Sequence, residues 1–313
     1  MKLKLDKNDR ICFLGDSITA DGIWVAEIIE YFIKHYPELK IGFYNCGISG
    51  TRGYRANEAN RLYCDCFNLF PKYVVIMFGM NDAEPQLYNP REETEDKIRK
   101  RDALRFRYEN TLERLIDLCK KAQTIPILCT PTPYDAYTES ATENWYADTA
   151  LEYFKNVAAD VARRYHIMLI DMRSILMEHM DKNPIRADRV HPNEYGSHLM
   201  SEFFLHEIGA KPEIEIDKKC ELSEQNRRRY EVEQIIRAIM FIERDYMGWT
   251  EGKTQRYTLV QRKRLLKKRV DAEPQNEYID KMVRTYLKYA DFKEELKGEL
   301  IKRTAELYEW DCI

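Results

Sequence analysis

Five short, unbroken apolar runs constrain this chain more than any other feature. They lie at 11–14, 41–44, 73–78, 125–129 and 167–170, and longer amphipathic stretches separate them. Short continuous runs of this kind are expected of strands buried on both faces. The stretches near 22–36, 54–68, 98–122, 142–165 and 193–207 carry apolar residues at helical spacing. Strands alternating with helices imply right-handed crossovers and a parallel sheet covered on both sides. Five such strands predict an α/β, three-layer, flavodoxin-like domain with a five-stranded parallel sheet.

The pattern stops near Gly209. Residues 211–217 read as a linker or a short strand. Residues 222–313 are rich in Glu, Lys, Arg, Leu and Tyr, and Ile235, Ile236, Ile239 and Met240 recur at helical spacing. The expectation is a catalytic domain over 1–210 and a helical C-terminal extension over 211–313. Arg227-Arg228-Arg229, Arg262-Lys263-Arg264 and Lys267-Lys268-Arg269 would suit a binding or scaffold role there. Acidic residues nearly balance them, so solvated helix faces are the plainer account. Self-association through these helices, giving a homo-oligomer, is a further expectation.

The 313 residues carry a formal net charge of -3, which argues against a nucleic-acid partner. No apolar run is long enough for a secretory signal or a membrane span, so a cytoplasmic location is expected for the chain as given. Eight cysteines in such a chain are expected to be reduced. Cys12, Cys46, Cys119 and Cys129 sit in or beside apolar runs, as buried thiols do. Cys64 and Cys66 form a C-x-C pair, but no second pair follows at zinc-ligand spacing, so no metal is expected.

Four segments carry chemistry, each placed where a parallel sheet binds ligands. Leu14-Gly15-Asp16-Ser17-Ile18-Thr19 follows the first strand, and sets a serine hydroxyl near the free N–H groups of a helix start. Helix capping by Asp16 or Ser17 is the plainer account of the same letters. Tyr44-Asn45-Cys46-Gly47-Ile48-Ser49-Gly50-Thr51 follows the second strand, and could aim a backbone N–H at a reacting oxygen or simply turn the chain. Phe78-Gly79-Met80-Asn81-Asp82 follows the third. An amide there suits an oxyanion hole, and a capped turn is the alternative. Asp188-Arg189-Val190-His191-Pro192-Asn193 precedes the last helix of the core. Its D-x-x-H spacing brings a carboxylate to one side of the imidazole and leaves the other side for a serine. Pro192 suits the first helical turn. His35, His166, His179, His198 and His206 lack a similar partner in sequence and read as structural or surface residues.

In this order, the four segments resemble the blocks of the SGNH (GDSL-type) hydrolase superfamily: G-D-S, a glycine corner, G-x-N-D and D-x-x-H-P. The four letters fall on Ser17, Gly50, Asn81 and His191, and the resemblance spans roughly 8–207. It implies a serine esterase with Ser17 as nucleophile, His191 as base and Asp188 as its orienting acid. It also implies an oxyanion hole from the N–H groups of Ser17 and Gly50 and the amide of Asn81, with no cofactor. An α/β-hydrolase would carry G-x-S-x-G deep in the chain, and this one does not. No cysteine has a neighbourhood that pairs it with His191.

The segment Gly15–Thr19, residues 61–72 and the run Asp188-Arg189-Val190-His191 resemble the carbohydrate-esterase branch of that superfamily. That implies removal of acetyl groups from xylan-type or other plant sugars, with oligosaccharide or small-molecule esters as partners. Asp16, Tyr54, Tyr134 and Trp145 are the substrate-binding candidates. Tyr88, Tyr137 and Tyr146 are further aromatic residues near the same loops, though aromatics of this kind also pack cores. A lipid-directed esterase, such as a lysophospholipase or thioesterase, is the alternative. It would use 83–103 as a lid-like loop, but the charges there weaken an acyl tunnel.

Overall fold

The structure, a computed structural model, describes residues 2–39, 41–56, 62, 66–135, 146–180 and 188–216. Five strands form one parallel sheet: β1 (Arg10–Gly15), β2 (Gly42–Gly47), β3 (Tyr73–Met77), β4 (Ile125–Cys129) and β5 (Met168–Ile170). Their order is β2-β1-β3-β4-β5, as a doubly wound sheet requires. The register puts Gly15 beside Gly47 on one side and Met77 on the other, so the first three strands end level. All five apolar runs of the sequence are therefore strands. The elements described belong to one compact unit, Met1–Leu62 with Leu69–Glu221.

The helices are α1 (Ser17–Asp21), α2 (Ile23–His35), α3 (Gly53–Ala56), α4 (Glu95–Lys121), α5 (Ala147–Tyr165), α6 (Met172–Met180) and α7 (Glu194–Glu207). On one face of the sheet, Phe13 of β1 meets Trp24 of α2 and Phe204 of α7, with ring centroids 5.2 and 5.6 Å away. All three rings are almost fully buried. On the other side, Tyr108 of α4 stacks on Phe154 of α5 at 4.3 Å. Burying an aromatic ring of this kind stabilises by roughly 1.5–3 kcal/mol. Cys12, Cys46, Cys119 and Cys129 are buried and form no disulfide, and burial pushes Cys119 and Cys129 well above the ordinary range.

The structure corrects the sequence reading at one point, adds a helix and narrows one alternative. Residues 83–103 are not a lid-like loop. Short 3-10 turns at Pro85–Tyr88 and Pro90–Glu92 lead into α4, which starts at Glu95. Thr94 caps that start by accepting the Lys97 N–H, and Glu95 and Asp96 favour the positive end of the helix dipole. Helix α6 went unread. It follows β5 at once, and its cap is Asp171, whose carboxylate accepts the Ser174 N–H and hydroxyl. Finally, of the two readings of 211–217, the strand is not seen at 211–216. Most of the expected C-terminal extension, with its basic clusters, lies outside the described residues, as do Cys64, Tyr137 and Trp145.

Candidate active site

The loops that follow β1, β2 and β3 and the turn before α7 carry the four segments. Ser17 opens α1, so its own N–H has no carbonyl partner within that helix. Asp16 is buried and caps the helix, accepting the Ile18 N–H at 3.0 Å. The plainer account of Asp16 thus holds, while Ser17 beside it is half-buried and faces His191.

The Ser17 hydroxyl lies 2.8 Å from His191 Nε2. His191 Nδ1 lies 2.8 Å from Asp188 Oδ2. Serine, imidazole and carboxylate therefore form one hydrogen-bonded line, although Ser17 and His191 are 174 positions apart. The carboxylate is itself held by the turn it begins, since Oδ1 accepts the N–H groups of Val190 and His191 at 3.1 and 2.8 Å. This is an Asx-type turn. Arg189 adopts a left-handed backbone (φ 70°) within it, and its carbonyl accepts the Asp135 N–H from the loop after β4. Partial burial pushes the Asp188 carboxyl up, but the His191 and Val190 hydrogen bonds outweigh this and hold it below its ordinary value. Pro192 stands outside the first helical turn, just before the helix cap. Asn193 is the cap of α7, and its side chain accepts the Gly196 N–H.

The loops after β2 and β3 are tied to this centre and to each other. Ile48 N–H donates to the Gly15 carbonyl at 3.0 Å. Gly50 is exposed and left-handed (φ 73°), a conformation that favours glycine. Asn81 Nδ2 donates to the Thr51 carbonyl at 3.2 Å, and an amide carries a second donor. Gly79 has φ 136°, and a Cβ on it would come within 2.7 Å of Pro131. Only glycine lets the chain leave β3 along this path.

Of the remaining candidates, Tyr54 lies on α3 with the guanidinium groups of Arg107 and Arg55 at 5.0 and 5.8 Å from its ring. Tyr134 is buried, and its N–H donates to Asp148 at 2.9 Å. Two groups near the sheet edge have partners that the sequence does not show. Asp82 accepts the Gly53 N–H with both oxygens, at 3.0 and 2.9 Å. Arg173 is buried among Asp148 and Glu152, tying α6 to α5. Neither has a local spacing that names its partner.

His198 is structural, with a partner that no local spacing shows: Glu27 lies 3.1 Å from its Nδ1, and Ser201 donates to the same carboxylate.

A family model described as the GDSL-like lipase/acylhydrolase family matches residues 13–199. Among solved structures, the acetylxylan esterase Axe2 from Geobacillus stearothermophilus is 25% identical with a TM-score of 0.53. The match covers 66% of this chain and 97% of that one. LAE5, an alpha/beta hydrolase enzyme from the metagenome of Lake Arreo, Spain, is 22% identical with a TM-score of 0.53. It covers 65% of this chain and 96% of that chain, and supports the fold alone. No curated protein matches the chain in sequence.

Proposed function

The chain belongs to the GDSL-like lipase/acylhydrolase family and is a carboxylic ester hydrolase, and from that premise we propose that it removes small acyl groups, chiefly acetyl, from carbohydrate through an acyl-enzyme on Ser17. The observation that carries this reading is the line from the Ser17 hydroxyl through both nitrogens of His191 to Asp188. In it, His191 Nε2 takes the hydroxyl proton as Oγ attacks the ester carbonyl. Asp188 fixes the ring orientation and stabilises the imidazolium that forms. The tetrahedral oxyanion is met by the N–H groups of Ser17 and Gly50 and by the Asn81 amide. The leaving alcohol takes its proton from His191. Water, deprotonated by the same nitrogen, then hydrolyses the acyl-serine.

The preference for a small acyl group has two supports. The solved esterase to which the chain is similar is described as acting on acetylxylan. Charged pairs, not an apolar groove, occupy the segment after β3: Arg52 with Glu84, Lys97 with Glu92, and Arg101 with Glu93. Arg107 and Arg55 flank the Tyr54 ring, which leaves it a sugar-stacking candidate only through whatever face or edge stays open. Among the described residues, no helix is long and apolar enough to cross a membrane.

The test is a chain-length series on one leaving group, acetyl to octanoyl, followed by acetylated xylo-oligosaccharides. Acetyl esters should be turned over fastest, and kcat/KM should fall by about tenfold or more at octanoyl, an effect of roughly 1.4 kcal/mol. Faster octanoyl hydrolysis would reverse the assignment in favour of a lipid-directed esterase.

A further inference from the structure

We propose that Asp82 is a positioning residue for the oxyanion donors: its carboxylate clamps the loop after β2 onto the loop after β3, so that Gly50 and Asn81 are set as one unit. This inference rests on the acyl-transfer reading above and deepens it.

The clamp is visible as three ties between the two loops. Both Asp82 oxygens accept the Gly53 N–H, at 3.0 and 2.9 Å, across 29 positions of sequence. Asn81 Nδ2 donates back to the Thr51 carbonyl. Arg52 pairs with Glu84 at 3.3 Å just beyond. Asp82 directly follows Asn81, and Gly53 stands three residues after Gly50. A shift at the clamp is therefore passed to both donors through very short stretches of chain. The anchoring side is rigid: Asp82 N–H and Ala83 N–H both return to the Gly79 carbonyl, and the Tyr108 hydroxyl donates to the Phe78 carbonyl from α4. The contact is also close. A Cβ on Gly53 would lie 3.1 Å from Thr111 and 3.2 Å from Phe78.

A neutral side chain could cap α3 without the cost of burying a charge. Asp82 is only 3% exposed, and that burial pushes its carboxyl up to about 6. The Gly53 N–H, Arg107, Arg52 and the Gly79 N–H pull it the other way. Tyr108 faces the same carboxylate from α4, and Glu84 pairs with both arginines. Above pH 6 the group is an ionised, acceptor-only clamp, suited to the Gly53 N–H. Below it, one oxygen carries a proton and becomes a donor, and the clamp loosens. Protonation of Asp82 therefore adds a loss of activity of its own below about pH 6.

The experiment is the pH profile of kcat/KM for an acetyl ester in the full-length protein and in Asp82→Asn, which is isosteric but does not titrate. The ratio of unmodified to variant kcat/KM should be about tenfold at pH 8 and should fall toward one as pH drops through about 6, where the unmodified carboxyl becomes neutral as well. Groups common to both enzymes cancel in that ratio. At pH 8 the variant's kcat should fall roughly tenfold, on the scale of a misplaced oxyanion donor, with KM within about twofold. In an Asn81→Ala background the same change should cost less than about threefold, because a donor it positions is gone. An Asp82→Asn enzyme with full kcat at pH 8, or a ratio that stays constant from pH 8 to pH 5, overturns the proposal. If that variant does not fold, Asn81→Ala decides: the loss it causes should shrink as pH falls through about 6, and a loss that stays constant over the range where both enzymes are folded overturns the proposal equally. Ser17→Ala run alongside keeps the two readings apart. Its retained turnover would sink the acyl-enzyme, whereas an inactive Ser17→Ala with an indifferent Asp82→Asn sinks only the clamp.

Discussion

Among the described residues, two places bring a serine, a histidine and a carboxylate into contact, and only one has the geometry that the proposed acyl transfer needs. At the sheet edge, His191 offers Nε2 to the Ser17 hydroxyl and Nδ1 to Asp188. Between α2 and α7, His198 offers Nδ1 to Glu27, but its Nε2 is committed to the Glu215 carbonyl at 2.8 Å. Ser201 donates to Glu27, and its oxygen also lies 2.8 Å from its own helix carbonyl at His198. The second serine thus meets the acid instead of the base, and no ring nitrogen is left to take its proton. Exposure separates the two as well. The side chains of His191 and Asp188 are 35% and 56% exposed, against 6% and 5% for His198 and Glu27. Residue types do not make a nucleophile; the ring nitrogen that faces the hydroxyl does.

The largest effect separates the two serines. Ser17→Ala should cut kcat on an acetyl ester by about 10⁴-fold or more, since a catalytic serine that acts through an imidazole carries the whole covalent path. Ser201→Ala should leave kcat and KM within about twofold, and should cost on the order of 1 kcal/mol of stability for the lost hydrogen bond. Comparable activity losses in the two variants would erase the distinction between the clusters.

The acids come next. Asp188→Asn should lower kcat by about 10³-fold, by loss of ring orientation and of imidazolium stabilisation. The carboxylate works from the folded state's own turn, so the variant should keep its melting temperature to within a few degrees. Glu27→Gln should do the reverse. Its kcat should stay within about twofold, while the buried charge-assisted contacts of His198 and Ser201 are weakened by roughly 1–3 kcal/mol. Calorimetry beside the same kinetic assay reads both.

The two clusters also show why one site was legible in the sequence and the other was not. Asp188 and His191 are three positions apart, so their contact is written in local spacing. Ser17, Gly50 and Asn81 are far apart, but each follows an apolar run, and a parallel sheet gathers the ends of its strands. The five strands followed from the same runs. Glu27 and His198, by contrast, meet across 171 positions, on two helices whose contact no spacing announces. Asp82 reads locally as a turn residue, and its partner Gly53 is visible only once the loops are folded. Helix α6 escaped for another reason. It starts one residue after β5, without a glycine or proline to mark the change, and Met172, Arg173, Ile175 and Leu176 are all buried, so no clean apolar stripe shows. Local chemistry and strand ends were readable, and long-range pairings between helices were not.

The smallest effect is the most discriminating about His198. Its Nε2 meets a carbonyl and its Nδ1 a carboxylate, so both nitrogens are donors when the ring is protonated. Burial pushes the ring down, but Glu27 and the Glu215 carbonyl outweigh it and raise His198 above the ordinary imidazole value. Glu202, which pairs with Lys211, adds to the same pull. A raised folded-state value means the proton is bound more tightly in the native protein than in the unfolded chain. The resulting stability is fully present below about pH 6.5, the ordinary histidine value, and is lost as pH rises through the higher folded value. His198→Gln keeps a donor for Glu215 but cannot carry the charge. It should melt about 2–4 °C below the parent near pH 6, as a loss of roughly 1 kcal/mol gives in a domain of this size. The gap should narrow by more than half by pH 9, with kcat unchanged throughout. A gap that held constant or widened with pH would mean that His198 is neutral in the folded protein, and that its contact with Glu27 is packing without charge.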